Sequence, residues 1–191
     1  MTTSQFMRVT FLMLVALLIT GCEGTQRLTL KHSALSVPTR NAKRRVSLKF
    51  TDKRQDKRTI GIFTGVFWKK YDIVPSDDLA TSFAQMFPDV LGQAGYSVVP
   101  EANARLYGEV LDFRVEGDGW TVYAKEGVRA TLRNPKGEIL WEKTLIGEYG
   151  GWNKGSYEDI MNKALAALLN NALEDFRSEF FEQTVKRTDD R

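Results

Sequence analysis

Ala104-Arg-Leu-Tyr-Gly-Glu-Val-Leu-Asp-Phe-Arg-Val115, Trp120-Thr-Val-Tyr-Ala-Lys-Glu-Gly-Val-Arg-Ala-Thr-Leu-Arg133 and Glu138-Ile-Leu-Trp-Glu-Lys-Thr-Leu-Ile-Gly-Glu-Tyr149 follow one another with little between them. Each is rich in β-formers and alternates apolar with polar side chains over much of its length, as a strand with one buried face does. Gly117-Asp118-Gly119 separates the first pair and Asn134-Pro135-Lys136-Gly137 the second. Both are turn sequences. The stretch predicts an antiparallel meander, and the rest of the chain is read around it.

Upstream, Arg45 to Phe50 alternates again, with Val46, Leu48 and Phe50 on one side and Arg45, Ser47 and Lys49 on the other. Thr51 to Arg58 is polar and predicts a turn. Thr59 to Trp68 is β-rich, and Tyr96 to Val99 is a short strand stopped by Pro100. Leu79, Phe83, Met86, Phe87, Val90 and Leu91 recur at helical spacing. Ser76 is the expected N-cap of that helix, with Asp77 and Asp78 in its first turn. Pro88 is expected to kink or split it, and Gly95 to stop it. Downstream, the Gly-rich stretch 147–155 leads to a capping-box-like Ser156–Asp159. Beyond it Ile160, Met161, Ala164, Leu165, Leu168, Leu169, Ala172, Leu173, Phe176 and Phe180 predict one amphipathic helix reaching about Thr184. The expected fold class is α+β: a mostly antiparallel sheet of five or six strands with two amphipathic helices packed on one face.

The N-terminus has a different character. Arg8 is the one charge in residues 1–8, and Val9 to Thr20 carries none. The run is shorter than the roughly 20 apolar residues a spanning helix needs and has the length of a signal-peptide core. Ile19-Thr20-Gly21-Cys22 ends it, and Cys22 is the only cysteine. The pattern resembles the lipobox of bacterial lipoproteins. That resemblance implies cleavage before Cys22 and acyl chains on it, enough for stable anchoring. Glu23 stands where aspartate would favour retention in the inner membrane, so the implied address is the outer membrane, facing the periplasm. The expected organisation is a signal peptide over 1–21, a lipidated N-terminus and tether over 22–44, one domain over 45–184 and a frayed tail over 185–191. Removing residues 1–21 from the 191 leaves 170, a length suited to one domain. Without Arg8 the formal charge falls from +3 to +2 and points to no partner by itself.

The usual catalytic tools are sparse. The single histidine, His32, falls in the expected tether, and no zinc-ligand spacing occurs. Gly150 to Ser156 ends Lys154-Gly155-Ser156, the wrong order for a phosphate-binding loop. The acid pairs Asp77/Asp78 and Glu158/Asp159 are explained by helix first turns. The expectation is a chain without enzymatic activity, metal or cofactor. The distinctive surface feature is eleven basic residues between Arg40 and Lys70 against Asp52 and Asp56, with Phe67, Trp68 and Tyr71 among them. Cations beside amphipathic aromatics suit an anionic ligand or a lipid headgroup layer. Lys53, Arg54, Lys57, Arg58, Trp68, Lys69 and Lys70 are the candidate patch, weighed against a simply solvated turn. A periplasmic address makes nucleic acid a poor partner.

Val46-Ser-Leu48-Lys-Phe50-Thr-Asp52-Lys-Arg54, then Thr59-Ile60-Gly61, resembles the YajG-like lipoproteins, in which a strand ends in an Asp-x-Arg turn followed by an Ile-Gly pair. The likeness extends through the Leu79–Leu91 helix, Gly95-Tyr96-Ser-Val98 and Ala104-Arg-Leu106. It implies a fold and an address rather than an activity. In architecture alone the outline also resembles LptE-type lipopolysaccharide-assembly lipoproteins. The expected function is that of an anchored accessory protein that binds an envelope protein partner; the alternative is a module that handles lipid or lipopolysaccharide.

Overall fold

A computed structural model describes residues 24–31, 44–64, 70–117, 120–152 and 157–189. Eight strands form one sheet: β1 (Gly24–Leu28), β2 (Arg44–Asp52), β3 (Gly61–Thr64), β4 (Lys70–Pro75), β5 (Tyr96–Val98), β6 (Ala104–Gly117), β7 (Thr121–Arg133) and β8 (Ile139–Trp152). Three helices are described, α1 (Leu79–Ala94), α2 (Tyr157–Arg177) and α3 (Glu179–Asp189).

The predicted meander is present as β6–β7–β8, antiparallel throughout. The rest of the sheet corrects the expectation of mostly antiparallel pairing. β6 is the spine. One edge takes β7; the other takes β2 along Ala104–Val110 and β3 along Val115–Gly117, both parallel. β2 and β3 therefore follow each other along one edge, and the 53–60 segment is an excursion between them. It is pinned at both ends, Lys53 N–H to the Val110 carbonyl (2.9 Å) and Val115 N–H to the Ile60 carbonyl (2.7 Å). Beyond β2 lies β5, parallel; beyond β3 come β4, antiparallel, and β1, parallel to β4. The sheet is mixed, five strands wide at the β2 end and six at the β3 end. Parallel pairing arises because the β2-to-β6 connection crosses over through α1 instead of turning back.

All three helices cover the same face. α1 packs on β2 and β5, α2 on β7 and β8, and α3 against α2, β6 and β8. Val46, Phe50, Leu106, Val110, Phe113, Val115, Val128, Ala130, Leu132, Trp141 and Leu145 supply the sheet side of the core. Aromatic rings knit the layers: Phe50 lies 4.7 Å from Phe87 and 5.7 Å from Phe83, and Phe87 lies 6.1 Å from Phe176. Where α2 crosses β8 the backbone approach is so close that a Cβ on Gly147 would collide with the Ala164 carbonyl and Leu168. That position admits no side chain.

Several local expectations change. Asp78, not Ser76, caps α1, its carboxylate accepting from Thr81 N–H at 2.8 Å. Ser76 instead ties β4 to β1 through its N–H to the Leu28 carbonyl (2.9 Å). Gly95 stops α1 in the left-handed region (φ 98°), as expected. The helix runs through Pro88, whose missing N–H lies inside one continuous element. The single C-terminal helix is two. Ser178 separates α2 from α3: its hydroxyl donates to the Asp175 carbonyl (2.6 Å) and accepts from Phe181 N–H (3.3 Å). This break resets the helical phase by one position. Phe181 is fully buried against Trp141 and Tyr96, and Phe180, expected in the core, is exposed. α3 continues to Asp189 with Val185 and Thr188 buried, so 185–189 is packed helix and not a frayed tail. β4, unforeseen as a strand, carries Lys70 and Tyr71. β1 starts at Gly24, inside the expected 22–44 tether. Cys22, His32, Trp68 and Lys69 lie outside the described residues.

Candidate functional site: the open face of the sheet

Strand alternation sends every second side chain away from the helices, and no described helix covers that side. On the five-strand end, β2 contributes Lys49, Thr51 and, just past its end, Lys53; β6 contributes Tyr107 and Glu109; β7 contributes Arg129, Thr131 and Arg133; β8 contributes Glu142. Together they line an open trough of about 550 Å³. The cations outnumber the acids, and the acids are engaged. Arg129 Nη1 reaches Glu109 Oε2 at 3.3 Å, and Thr131 Oγ1 donates to Glu142 Oε2 at 3.2 Å. The Arg133 guanidinium sits 5.7 Å from the centre of the Tyr107 ring and donates to the Gly137 carbonyl (3.2 Å). Lys49 and Lys53 have no ion-pair partner among the described residues. A shallow trough with guanidinium groups held by partners, a flat aromatic ring and exposed ammonium groups suits carboxylate or phosphate groups presented on a surface.

The structure divides the predicted basic patch. Lys53 joins the trough. Arg54 does not: it is only 7% exposed and faces inward. Its guanidinium grips Asp52 (Nη2–Oδ2 2.9 Å, Nε–Oδ1 3.1 Å) and donates to the carbonyls of Thr59 and Lys57, each at 3.1 Å. The Asp-x-Arg element is thus the clasp of the excursion between β2 and β3, a structural task that leaves no face for a ligand. Lys57 and Arg58 are exposed on that excursion. Arg58 N–H donates to Asp56 (2.8 Å), whose carboxyl is held below the usual range first by the Thr59 hydroxyl and then by backbone N–H groups. Lys70 lies at the opposite, six-strand end, opposite Thr64. Arg129, Arg133 and Tyr107 were not singled out from sequence, and Lys49 stood in the basic run but outside the candidate patch; the signal was present in β7, whose outward positions 125, 129 and 133 are all basic.

One buried group stands apart. Glu126 points into the core from β7, fully buried, and neither carboxyl oxygen has a hydrogen-bond partner among the described residues. Burial pushes its carboxyl well above the usual glutamate range. No cluster of three or more His, Cys, Asp or Glu with metal-binding geometry occurs among the described residues, and no described helix is long and apolar enough to cross a membrane.

No family model matches the chain, and no curated protein matches it in sequence. Solved structures do resemble it. A crystal structure of an uncharacterized protein aligns with TM-score 0.56 at 11% identity, over 81% of this chain and 98% of the other. A Xanthomonas campestris protein described as DUF330 aligns with TM-score 0.51 at 8% identity, over 87% and 97%. At these identities the likeness is one of fold. A lipoprotein from Neisseria meningitidis overlaps at TM-score 0.40 and 13% identity, over 69% and 98%, too loosely to establish a shared fold.

Proposed function

We propose that this chain is a lipid-anchored, non-enzymatic accessory lipoprotein of the bacterial outer membrane, facing the periplasm, that acts by binding an envelope protein through the open face of its sheet. The observation that carries the reading is the basic trough on a face no described helix covers, with Lys49 and Lys53 free of acid partners among the described residues and the Arg133 guanidinium over the Tyr107 ring. The partner's contact would be an acidic, exposed segment. The address rests on the sequence: the lipobox-like Ile19–Cys22 and Glu23 behind it.

The test is site-specific photocrosslinking in cells. A crosslinker at position 107 is expected to give one discrete adduct, absent with the crosslinker at position 180 on the helix side. Reversing Lys49 and Lys53 to Glu should abolish it. No adduct at 107, or one indifferent to charge reversal, overturns the reading. The same unpaired ammonium groups keep the lipid-handling alternative in view: charge-reversal-sensitive binding to purified lipopolysaccharide, with no protein adduct, would favour it instead.

A further inference from the structure

We propose that the six-strand end of the sheet is a membrane-seating rim, with Trp120, Tyr123 and Trp152 and the ammonium of Lys70 resting in the interfacial layer of the bilayer that holds Cys22. The inference rests on the lipid-anchor reading above and adds to it the surface that meets the membrane.

Register carries the argument. Gly24 pairs with Tyr71, Tyr71 with Phe63, Phe63 with Gly117, Gly117 with Val122 and Val122 with Gly151. These six residues form one row across six strands, from the first residue of β1 to the far edge. One step further out, Lys70 opposes Thr64 and Thr121 opposes Trp152, with Trp120 at the adjoining turn. Cys22 precedes Gly24 by two residues. Two residues span at most about 7 Å, so acyl chains on Cys22 bring the bilayer surface to this end of the sheet and to no other.

The side chains found there are those an interface selects. Trp120 is 74% and Trp152 69% exposed, the two most exposed large apolar side chains described, and Tyr123 beside them is also exposed. Rings with an apolar body and a polar atom favour the headgroup boundary, and a nearby Lys reaches phosphate from it. Exposed aromatics gathered at one edge mark an interaction surface. The row spans about 24 Å at 4.8 Å per strand, and strand twist makes the rim a curved edge with the Gly117–Val122 pair near its middle.

The trough is excluded from the same contact. Lys53 is level with Val110, seven residues along β6 from Gly117, and Arg133 is level with Arg105, twelve residues away. At about 3.3 Å per residue the trough stands roughly 23–40 Å from the rim along the strands.

The experiment uses the full chain, processed in a bacterial host and reconstituted in phosphatidylethanolamine/phosphatidylglycerol vesicles carrying lipids brominated near the headgroup end of the acyl chains. Radiolabelled palmitate incorporation reports acylation separately. Tryptophan emission of the acylated protein should be quenched, and the Trp120→Ala/Trp152→Ala variant should lose most of that quenching while keeping its label and its thermal transition. Ile139→Ala, at the other end of the sheet, should leave it unchanged. Acylation with no quenching, or quenching equal in the double variant, overturns the rim and leaves the anchor standing. If no palmitate is incorporated, the anchor reading falls and the rim is judged on vesicle partitioning of the unacylated chain. The double variant should then bind about tenfold more weakly; equal binding overturns it.

Discussion

Arg54 and Glu126 are both ionisable residues that folding removes from water, and they fare differently. Arg54 is saturated: Asp52 takes the charge and two carbonyls take further N–H groups. Arg54→Ala leaves Asp52 buried and uncompensated and should cost about 3 kcal/mol, read from urea unfolding, while leaving crosslinking from position 107 in place in the folded fraction. Arg54 belonged to the basic run in sequence, and composition alone could not separate a clasp from a solvated cation. The difference lies in where the chain turns back, which the Asp-x-Arg spacing permits but does not announce. Glu126 has no such company. Its carboxyl is favoured in the protonated form in the folded chain, so its contribution is fully present below the ordinary value of 4.5 and is lost as pH rises through its raised folded value. Glu126→Gln removes that titration. The variant should match the parent near pH 4 and exceed it by about 1 kcal/mol or more at pH 8, measured by thermal melts across pH. A gain independent of pH would show that the carboxyl is not the cause.

Among the elements, β6, β7 and β8 were the most legible, because alternation and turn chemistry are both local signals and agreed. β4 was hidden: Lys70, Tyr71 and Asp72 put polar groups where an apolar alternation would mark a strand. The parallel partners of β6 were hidden for a different reason, since which strand lies beside β6 depends on where α1 carries the chain. The α2–α3 break was invisible because Phe176 and Phe180 continue the apolar period; only the hydroxyl of Ser178, capping α3, reveals that Phe181 replaces Phe180 in the core. Ser178→Ala should cost about 1 kcal/mol through that cap and loosen α3 first, visible as faster amide exchange over 179–189. At the α2–β8 crossing the constraint is steric. Gly147→Ala must push Ala164 and Leu168 away and should cost about 1–3 kcal/mol, read from urea unfolding; an unchanged midpoint would mean the helix shifts freely on the sheet.

For the whole molecule, sequence conveyed an α+β fold with helices on a single face of the sheet, and that half of the architecture holds. The basic patch, by contrast, was contiguous in sequence and is not contiguous in space: Arg54 turns inward, Lys53 joins the trough, and Lys70 goes to the opposite end of the sheet. Distance along the chain between Lys53 and Lys70 spans the excursion, β3 and the start of β4, which together run the length of β6's second half. The anchor itself is tested at this scale. Cys22→Ser should abolish palmitate incorporation and leave the protein unprocessed or soluble; labelled, membrane-bound Cys22→Ser protein would remove the basis of the address.

The helix α3 has a consequence in time. Phe181 packs edge-to-face between Tyr96 and Trp141, and Arg44 Nη1 on β2 reaches the backbone carbonyl of Glu182 (2.9 Å). Residues separated by 40 to 138 positions therefore meet under the last element described. β2 likewise waits for β6, and β1 for β4. Such long-range closure folds slowly and leaves apolar surface open until late in synthesis. A chain emerging N-terminus first would spend most of its emergence with its aromatic core unsealed, so the stage of its life most dependent on a chaperone is the interval before residues 179–189 arrive.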